Sequence, residues 1–180
     1  MALRSKLLDI KTYGAGTYAL YLMHRLLQGI NSSWGVEHFH LFYLPHTAKE
    51  KIVIPAALSK PYSVEVHEQY HPDLETFGTS PETLEFRLAQ KTVCFLLRKG
   101  ETTPVGFFWL ASGVFREDVV WCDFHLPHDA MWDFDLVVAP EFRFSPAFSI
   151  LWRAALDWIE DRGMTGVYSR IGAMNRISLD

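Results

Sequence analysis

Apolar residues in the last third of the chain recur at the spacing of one helix face. The recurring positions between Ala147 and Asp161 are Phe148, Leu151, Ala155, Trp158 and Ile159. Such a stripe predicts an amphipathic helix that packs on a core. Gly163 follows directly, and glycine is common just after the end of a helix. We therefore expect a helix over 147–161, with Phe148 in its buried stripe.

Apolar runs of strand length lie on both sides of this helix. They are Tyr62–Gln69, Thr92–Arg98, Pro104–Ala111, Val119–Leu126, Met131–Ala139 and Gly166–Ile171. The polar connection Lys99–Glu101 contains a glycine and suits an antiparallel hairpin. Because a helix separates the last two runs, those strands are expected to run parallel and to diverge toward their carboxyl ends. The order predicts an α+β fold, a mixed, mostly antiparallel sheet flanked by helices.

The first 60 residues differ in pattern from the rest and predict one helix and one strand. Thr17 can cap a helix whose apolar positions keep helical spacing, and Val36–Leu44 is an apolar run of strand type. Prolines then mark a connector. We expect residues 1–60 to form an N-terminal helix–strand extension and residues 61–180 to form the main domain.

Composition narrows the expected partners and the compartment. A formal net charge of -4 gives no basic face for a polyanion, so nucleic acid is not expected as a partner. No apolar run reaches the roughly 18 residues of a membrane span, and Met1–Asp9 lacks the apolar region of a secretory signal. Cys94 and Cys122 both lie in apolar runs and are expected to be buried free thiols. We expect a soluble, cytoplasmic protein without a membrane partner.

Two acidic residues interrupt an otherwise apolar strand. Asp133 and Asp135 stand two positions apart in Met131–Ala139, so both are expected on one face, since side chains alternate along a strand. Buried carboxylates are costly unless they are paired or hydrated, so this face is expected to open on a cleft. Either aspartate could then act as a general base. The alternative is a structural pair that binds Arg170 or nearby backbone.

Other catalytic or metal-binding patterns are weak. His38 and His40 alternate onto one face of a strand, but no third ligand at useful spacing is evident. A nucleophile triad, a Cys/His pair, a phosphate-binding P-loop or a paired metal motif cannot be assembled with sensible spacing. We therefore expect no metal cofactor.

The stretch Asp135–Leu151 resembles the signature of the GNAT family of acyl-CoA N-acyltransferases. In that family a strand ends in Val-x-Pro, an Arg or Gln opens a glycine-rich turn, and a helix begins. Val138, Pro140 and Arg143 hold those places here, and Pro104–Gly106 also falls where the family has a counterpart. The resemblance covers residues 62–180 and implies a GNAT-like fold for the main domain.

The resemblance also implies an acyl-CoA cosubstrate, either acetyl-CoA or another acyl-CoA. The implied partners of the pantetheine arm are the backbone of Leu136, Val137 and Val138 and the side chain of Asn175. The implied pyrophosphate loop consists of Arg143, Phe144, Ser145, Pro146, Ala147 and Phe148. Free N–H groups at a helix N-terminus favour a phosphate group.

The chain departs from the family pattern in its loop. Pro146 and Phe148 stand where the family has glycine. Proline removes one N–H donor, and phenylalanine adds bulk where the backbone should approach phosphate. On structural grounds, Ser145 and Pro146 suit a helix start, with the serine as N-cap and the proline at the first helical position.

The second departure is at the end of the chain. The family usually continues past Asn175 and Ser178 through a helix with a tyrosine that acts as general acid, and then closes with two strands, whereas this sequence stops at Asp180. A sheet edge would then be open. We expect the N-terminal extension or a second copy in a homodimer to cover it, unless the chain is a fragment.

These observations lead to an N-acyltransferase as the expected function. It would move an acetyl or other acyl group from a CoA thioester to an amine by direct attack, with Asp133 or Asp135 as the base. Two alternatives stay open. One is an enzyme of the same fold that uses acyl carrier protein or aminoacyl-tRNA as donor, and the other is a non-catalytic binding or assembly module. The amine acceptor is not specified by the sequence.

Overall fold

Helices flank the sheet in the predicted order along the chain. The computed structural model describes residues 12–118 and 122–175. The α-helices are α1 (Ala15–Ile30), α2 (Ala56–Ser59), α3 (Pro81–Leu88) and α4 (Ala147–Asp161). Short 3-10 helices lie at His46–Lys51, Pro72–Phe77 and Pro140–Phe142. None of the described helices combines the length and the apolar character that a membrane crossing requires.

The strands form one large mixed sheet and one small hairpin. They are β1 (Phe39–Pro45), β2 (Tyr62–His67), β3 (Thr92–Lys99), β4 (Thr103–Ser112), β5 (Val114–Arg116), β6 (Asp123–His125), β7 (Ala130–Val138) and β8 (Gly166–Gly172). The large sheet has the order β1-β8-β7-β4-β3-β2, and β5 pairs with β6. The pairs β2–β3, β3–β4 and β4–β7 are antiparallel. The predicted α+β class with a mostly antiparallel sheet is confirmed.

The strands β7 and β8 run parallel, as the crossover through α4 requires. Their pairing covers only Ala130–Trp132 of β7 and Gly166–Tyr168 of β8. Within the unit of residues 43–169, no pairing of the two strands is described beyond these residues. The predicted parallel pair is therefore confirmed, and its divergence toward the carboxyl ends stays a prediction.

A β-bulge interrupts β7 at Asp135. Phe107 and Trp109 of β4 lie two residues apart, but they oppose Val137 and Phe134, which lie three residues apart. Asp135 takes up the extra residue with a φ of 51°, in the left-handed region. The side chains of β7 therefore change faces at this point. Phe134 and Val137 pack in the same apolar cluster.

Two apolar layers sit on the two faces of the sheet. The first lies under α4, with Leu151, Ala155 and Ile159 fully buried against residues such as Phe95 and Phe108. The second lies under α3 and the 3-10 helix Pro72–Phe77, and its members include Leu74, Leu84, Trp109, Trp132 and Phe134. Because both faces are covered, the central strands β3 and β4 are almost wholly apolar.

The N-terminal strand β1 is the neighbour of β8 at one end of the large sheet. Within the unit of residues 43–169, the His46 N–H donates to the Thr165 carbonyl oxygen at 3.0 Å, and the Tyr43 and Tyr168 rings lie 4.9 Å apart. Coverage of a sheet edge by the extension or by a second copy in a homodimer stays a prediction.

The chain divides into two units, residues 1–42 with 170–180 and residues 43–169. In the first unit, α1 begins after Gly14, which has a φ of 82°, so Thr17 lies inside the helix and is not its cap. The predicted division of the chain into residues 1–60 and 61–180 stays a prediction. The part of the predicted strand Val119–Leu126 at 119–121 lies outside the described residues, as do Met1–Asp9 and Ser178.

Two expectations about the burial of single residues are wrong. Phe148 is 55% exposed rather than buried, because it is on the solvent side of the first turn of α4. Cys122 is exposed and precedes β6, whereas Cys94 is buried in β3 as expected. Burial raises the pKa of the Cys94 thiol, so this cysteine is an inert core residue.

Candidate active site

The end of the described β7–β8 pairing, which we call the fork, is the central feature of the site. Trp132 and Tyr168 are the last paired residues, and Leu136, Val137 and Val138 lie beyond that point on β7. On their other side, Val137 and Val138 remain paired with β4. Backbone groups of β7 that point away from β4 therefore face the opening of the fork. They are suited to pair with an extended ligand.

The carboxyl of Asp133 lies at the start of this fork. Asp133 opposes Leu110 on β4, and since opposed residues share a face, it is on the α4 side of the sheet. Its side chain keeps some accessible surface, but the carboxyl is enclosed deeply enough for desolvation to dominate. Burial raises the pKa of Asp133 to about 7, Ser169 lowers it by hydrogen bonding, and the charge of Glu117 raises it. A carboxyl with this pKa is suited to exchange protons near neutral pH.

The Asp135 carboxylate has a different position and a different role. It forms an ion pair with Arg87 of α3, and Arg87 also binds Asp118 at 2.9 Å. Arg87 is only 5% exposed, and its guanidinium lies 5.3 Å from the centre of the Phe134 ring. Asp135 therefore faces the α3 side, whereas Asp133 faces the α4 side.

The expectation that both aspartates share one face is wrong. The bulge turns the Asp135 side chain to the other face, which simple alternation along β7 does not predict. The structural alternative holds for Asp135, which forms its ion pair with Arg87. Of the two aspartates, Asp133 therefore remains the candidate base.

The loop before α4 has few free N–H donors. Ser145 donates its hydroxyl to the Phe142 carbonyl oxygen at 2.7 Å and accepts the Ala147 N–H at 3.2 Å. Pro146 has no N–H, and its carbonyl oxygen accepts from Ile150. Among the described residues, no acceptor pairs with the N–H groups of Phe148 and Ser149. These two donors are available to an anion at the start of a 15-residue helix.

The predicted cap of α4 is wrong in its position by one residue. The N-cap is Pro146, and α4 begins at Ala147. Ser145 still acts on the helix start, because its hydroxyl accepts the Ala147 N–H. One donor that a pyrophosphate could use is thus already occupied.

The surface of the loop is aromatic and carries one cation. Phe144 is fully exposed, and the Phe148 ring lies 6.4 Å from the Trp152 ring. Arg143 is exposed, and no carboxylate in the part of the chain that the structure describes pairs with it. A guanidinium beside a helix N-terminus adds positive charge for a phosphate group.

Asn175 lies in the turn after β8. Its N–H donates to the Gly172 carbonyl oxygen at 2.8 Å, and the residue is exposed. It belongs to the unit of residues 1–42 with 170–180, so it is described apart from the fork and the loop. Its assignment to the pantetheine arm stays a prediction.

Two residues of the site escaped the sequence reasoning. Arg87 was not recognised, although an arginine among apolar residues of a short helix is a signal of a buried ion pair. Gly106 was noted only by resemblance. A Cβ at Gly106 would lie 2.3 Å from the Val137 carbonyl oxygen, so glycine is needed for β4 to approach β7 at the bulge.

Comparisons with known proteins find similarity in structure. No protein-family model matches the chain, and no curated protein sequence matches it. An aminoglycoside acetyltransferase from an uncultured soil metagenomic sample, in complex with trehalose, aligns with 15% identity over 79% of this chain and 83% of its own, with a TM-score of 0.42. The aminoglycoside acetyltransferase AAC(6')-Iy, in complex with a bisubstrate analog of CoA and acetylneamine, aligns with 19% identity over 79% and 85%, with a TM-score of 0.41.

A conserved protein of unknown function from Staphylococcus epidermidis aligns with 9% identity and a TM-score of 0.48. The alignment covers 82% of this chain and 56% of that one. Acetyltransferases are thus among the solved structures that align with this chain. At these identities and TM-scores the similarity concerns the fold alone, and function has to be argued from the site.

Proposed function

We propose that the protein transfers an acetyl or other acyl group from a CoA thioester to an amine. The observation that carries the proposal is the position of Asp133, whose carboxyl has a pKa of about 7 at the point where the described pairing of β7 with β8 ends. A base at this point is next to the opening where an extended thioester could lie. Direct attack needs only this proton acceptor and a defined geometry.

The proposed reaction balances with one base. The ionised Asp133 accepts one proton from the attacking neutral amine, directly or through water. The nitrogen lone pair forms a bond to the thioester carbonyl carbon, and the carbon–sulfur bond breaks to leave the CoA thiolate. The proton on Asp133 can pass to that thiolate, which completes an amide and a free thiol.

The residues present are consistent with an acyl-CoA. The backbone of Leu136, Val137 and Val138 could pair with the pantetheine arm at the fork, because no pairing of this part of β7 with β8 is described within the unit of residues 43–169. The N–H groups of Phe148 and Ser149 and the Arg143 guanidinium could hold the pyrophosphate.

A second candidate function is supported by the loop itself. Pro146 and the Ser145–Ala147 hydrogen bond leave fewer donors than an open glycine-rich turn would. Exposed Phe144 and Phe148 add an apolar surface at the same place. These features favour an enzyme whose acyl donor is not free acyl-CoA but an acyl carrier protein or aminoacyl-tRNA. They also favour a non-catalytic binding module.

Binding and turnover together distinguish these functions. Calorimetric titration with acetyl-CoA, longer acyl-CoAs and free CoA measures the cosubstrate site. A thiol-release assay with a panel of amines measures transfer, with Asp133→Asn as the matched variant because it keeps the shape of the side chain. Binding of an acyl-CoA with amine-dependent thiol release, lost in Asp133→Asn, supports the proposal. A folded protein that binds no acyl-CoA contradicts it and favours the second candidate.

A further inference from the structure

A cluster of one carboxylate and two imidazoles lies where β2 meets the next 3-10 helix. Glu65 and His67 stand two residues apart on β2. Because successive side chains of a strand point to opposite faces, these two project from the same face. His71 stands just before the 3-10 helix Pro72–Phe77. One possible ligand atom from each of the three residues lies within 4.8 Å of the other two. Together they resemble the ligand set of a transition-metal ion.

The contacts within the cluster hold the three groups close together. A Glu65 carboxylate oxygen, Oε2, lies 3.2 Å from Nε2 of His67, and the His67 and His71 rings are 4.6 Å apart. All three residues are partly buried. A cation between them would replace a weak hydrogen bond with direct ligands and would require little movement of the backbone.

Neighbouring residues orient the ligands. Nε of Arg98 donates to the other oxygen of Glu65, Oε1, at 3.0 Å, which leaves Oε2 directed at the histidines. Arg98 is buried and forms a second ion pair with Asp73. The Asp73 N–H in turn donates to Nδ1 of His71 at 3.2 Å. The Arg98–Glu65 contact is typical of metal sites, where such partners fix the ligand orientation. The hydrogen bond at His71 has to be given up when this ring binds an ion.

The charge of the cluster suits a cation. Burial alone raises the pKa of Glu65, but hydrogen bonds from Arg98 and His67 outweigh it and lower that pKa, so the carboxylate is ionised at neutral pH. Two carboxylates, Glu65 and Asp73, face one guanidinium, Arg98. With neutral imidazoles the group carries one net negative charge.

We propose that Glu65, His67 and His71 bind one divalent transition-metal ion of the zinc type. Two imidazoles and one carboxylate are a ligand set that Zn²⁺ takes in tetrahedral sites, with the fourth position left to water or another ligand. When His71 binds the ion through Nδ1, it gives up the hydrogen bond from the Asp73 N–H. When it binds through Nε2, the ring proton moves to Nδ1, which is the opposite tautomer. The ion would connect β2 to the segment that follows it, on a part of the chain separate from the β7–β8 fork.

Calorimetric titration of the full chain, without an affinity tag, with ZnCl₂ alone tests this site. His71→Asn is the informative variant, because the Asn side chain can keep the hydrogen bond to the Asp73 N–H but cannot supply the imidazole. His67→Ala and Glu65→Gln remove the other two ligands. His128→Ala, an exposed histidine outside the cluster, is the matched control.

The expected result is one Zn²⁺ per chain, with an affinity reduced at least about tenfold in each of the three cluster variants and unchanged in His128→Ala. Co²⁺ should give the intense visible absorption of a tetrahedral site, and His71→Asn should abolish it. A folded wild type that binds no Zn²⁺, or binding that His71→Asn and His67→Ala leave unchanged, overturns the proposal. Circular dichroism of each variant checks folding.

Discussion

Asp133 and Asp135 stand two residues apart on β7, yet their side chains project from opposite faces of the sheet. Asp133 opposes Leu110 on the α4 side, and Asp135 binds Arg87 on the α3 side. The cause is the left-handed backbone of Asp135, whose φ is 51°. Backbone conformations of this kind are rare for residues other than glycine and are typical of functional sites. The bulge thus leaves one aspartate at the fork and fixes the other in an ion pair.

Asp133→Asn should remove most of the acyl-transfer activity. A general base contributes about 10²- to 10⁴-fold to a rate, so kcat/KM is expected to fall by about that factor. In the wild type, kcat/KM should rise with pH and level off above an apparent pKa of about 7, because the ionised carboxylate is the active form. Steady-state thiol release between pH 5.5 and 9, roughly two units on each side, measures both effects.

The matched control for this prediction is Asp135→Asn. Its carboxylate faces Arg87 and not the fork, so the pH profile of this variant should keep the same midpoint even if the protein is less stable. An Asp133→Asn enzyme with unchanged kcat/KM would show that another group accepts the proton.

Asp133 should also make the free energy of unfolding depend on pH. Its pKa is about 7 in the folded chain, against 3.8 for an unperturbed aspartate. Between these values the folded chain keeps a proton that the unfolded chain releases, so stability falls as the pH rises from about 4 to about 7. Asp133→Asn lacks this loss and should gain stability relative to wild type over that range, by at most about 4 kcal/mol.

Urea denaturation of both proteins at several pH values tests this. Other carboxyls, such as Glu65 and Asp157, are common to both proteins and cancel in the difference. The neighbours of Asp133 that enter are Ser169, which favours the charged form, and Glu117, which disfavours it. A stability difference that does not change between pH 4 and 8 would mean that the Asp133 pKa is not raised.

Arg87→Met should destabilise the fold strongly. Arg87 is buried, and its loss leaves Asp118 and Asp135 without their cation. Removing one partner of a buried ion pair costs about 3–5 kcal/mol, and the partial exposure of the two carboxylates reduces this to about 2–3 kcal/mol. Arg116→Met is the control, because the Arg116–Asp123 pair is exposed and should contribute much less. Equal losses in the two variants, measured by denaturant unfolding, would contradict the role of Arg87.

Gly106→Ala should disturb the bulged end of the β4–β7 pair. The added Cβ would lie 2.3 Å from the Val137 carbonyl oxygen and 3.1 Å from the Val138 Cα, and backbone atoms cannot move away as a side chain can. We expect a loss of about 1–3 kcal/mol in stability and weaker CoA binding. Gly172→Ala is the control, since a Cβ there meets nothing within 4 Å. Thermal unfolding and calorimetry measure the two effects, and a Gly106→Ala protein as stable as Gly172→Ala would contradict the close approach.

Pro146→Gly combined with Phe148→Gly should strengthen CoA binding. The change restores one N–H donor and removes a side chain from the surface beside the helix N-terminus. Since Phe148 is exposed, each change should cost only on the order of 1 kcal/mol in stability. Calorimetric titration with CoA measures the affinity. A folded double variant that, like the wild type, shows no CoA binding would favour the functions that do not use free CoA.

Local pattern was sufficient to predict the main elements of the fold. The predicted helix over 147–161 is α4, because its apolar stripe faces the sheet at the helical period. The parallel pairing of β7 and β8 followed from the length of the connection between them. Neighbouring parallel strands need a crossover of a dozen or more residues, which is usually a helix. Its position on the apolar stripe predicted that Phe148 is buried, whereas its side chain is exposed. In the first turn of α4 the sheet no longer covers every member of the stripe.

The sequence by itself determined the main helices and strands and the parallel direction of β7 and β8, because period and connection length are local properties of the chain. It did not predict the short elements β5 and α2. The tertiary structure decided which aspartate faces the fork, since one left-handed residue inverts the alternation of β7. It also brought Arg87 to Asp135, across 48 residues of sequence. The position of His71 beside Glu65 and His67 depends on how the chain turns after β2, and spacing along the sequence does not specify that turn.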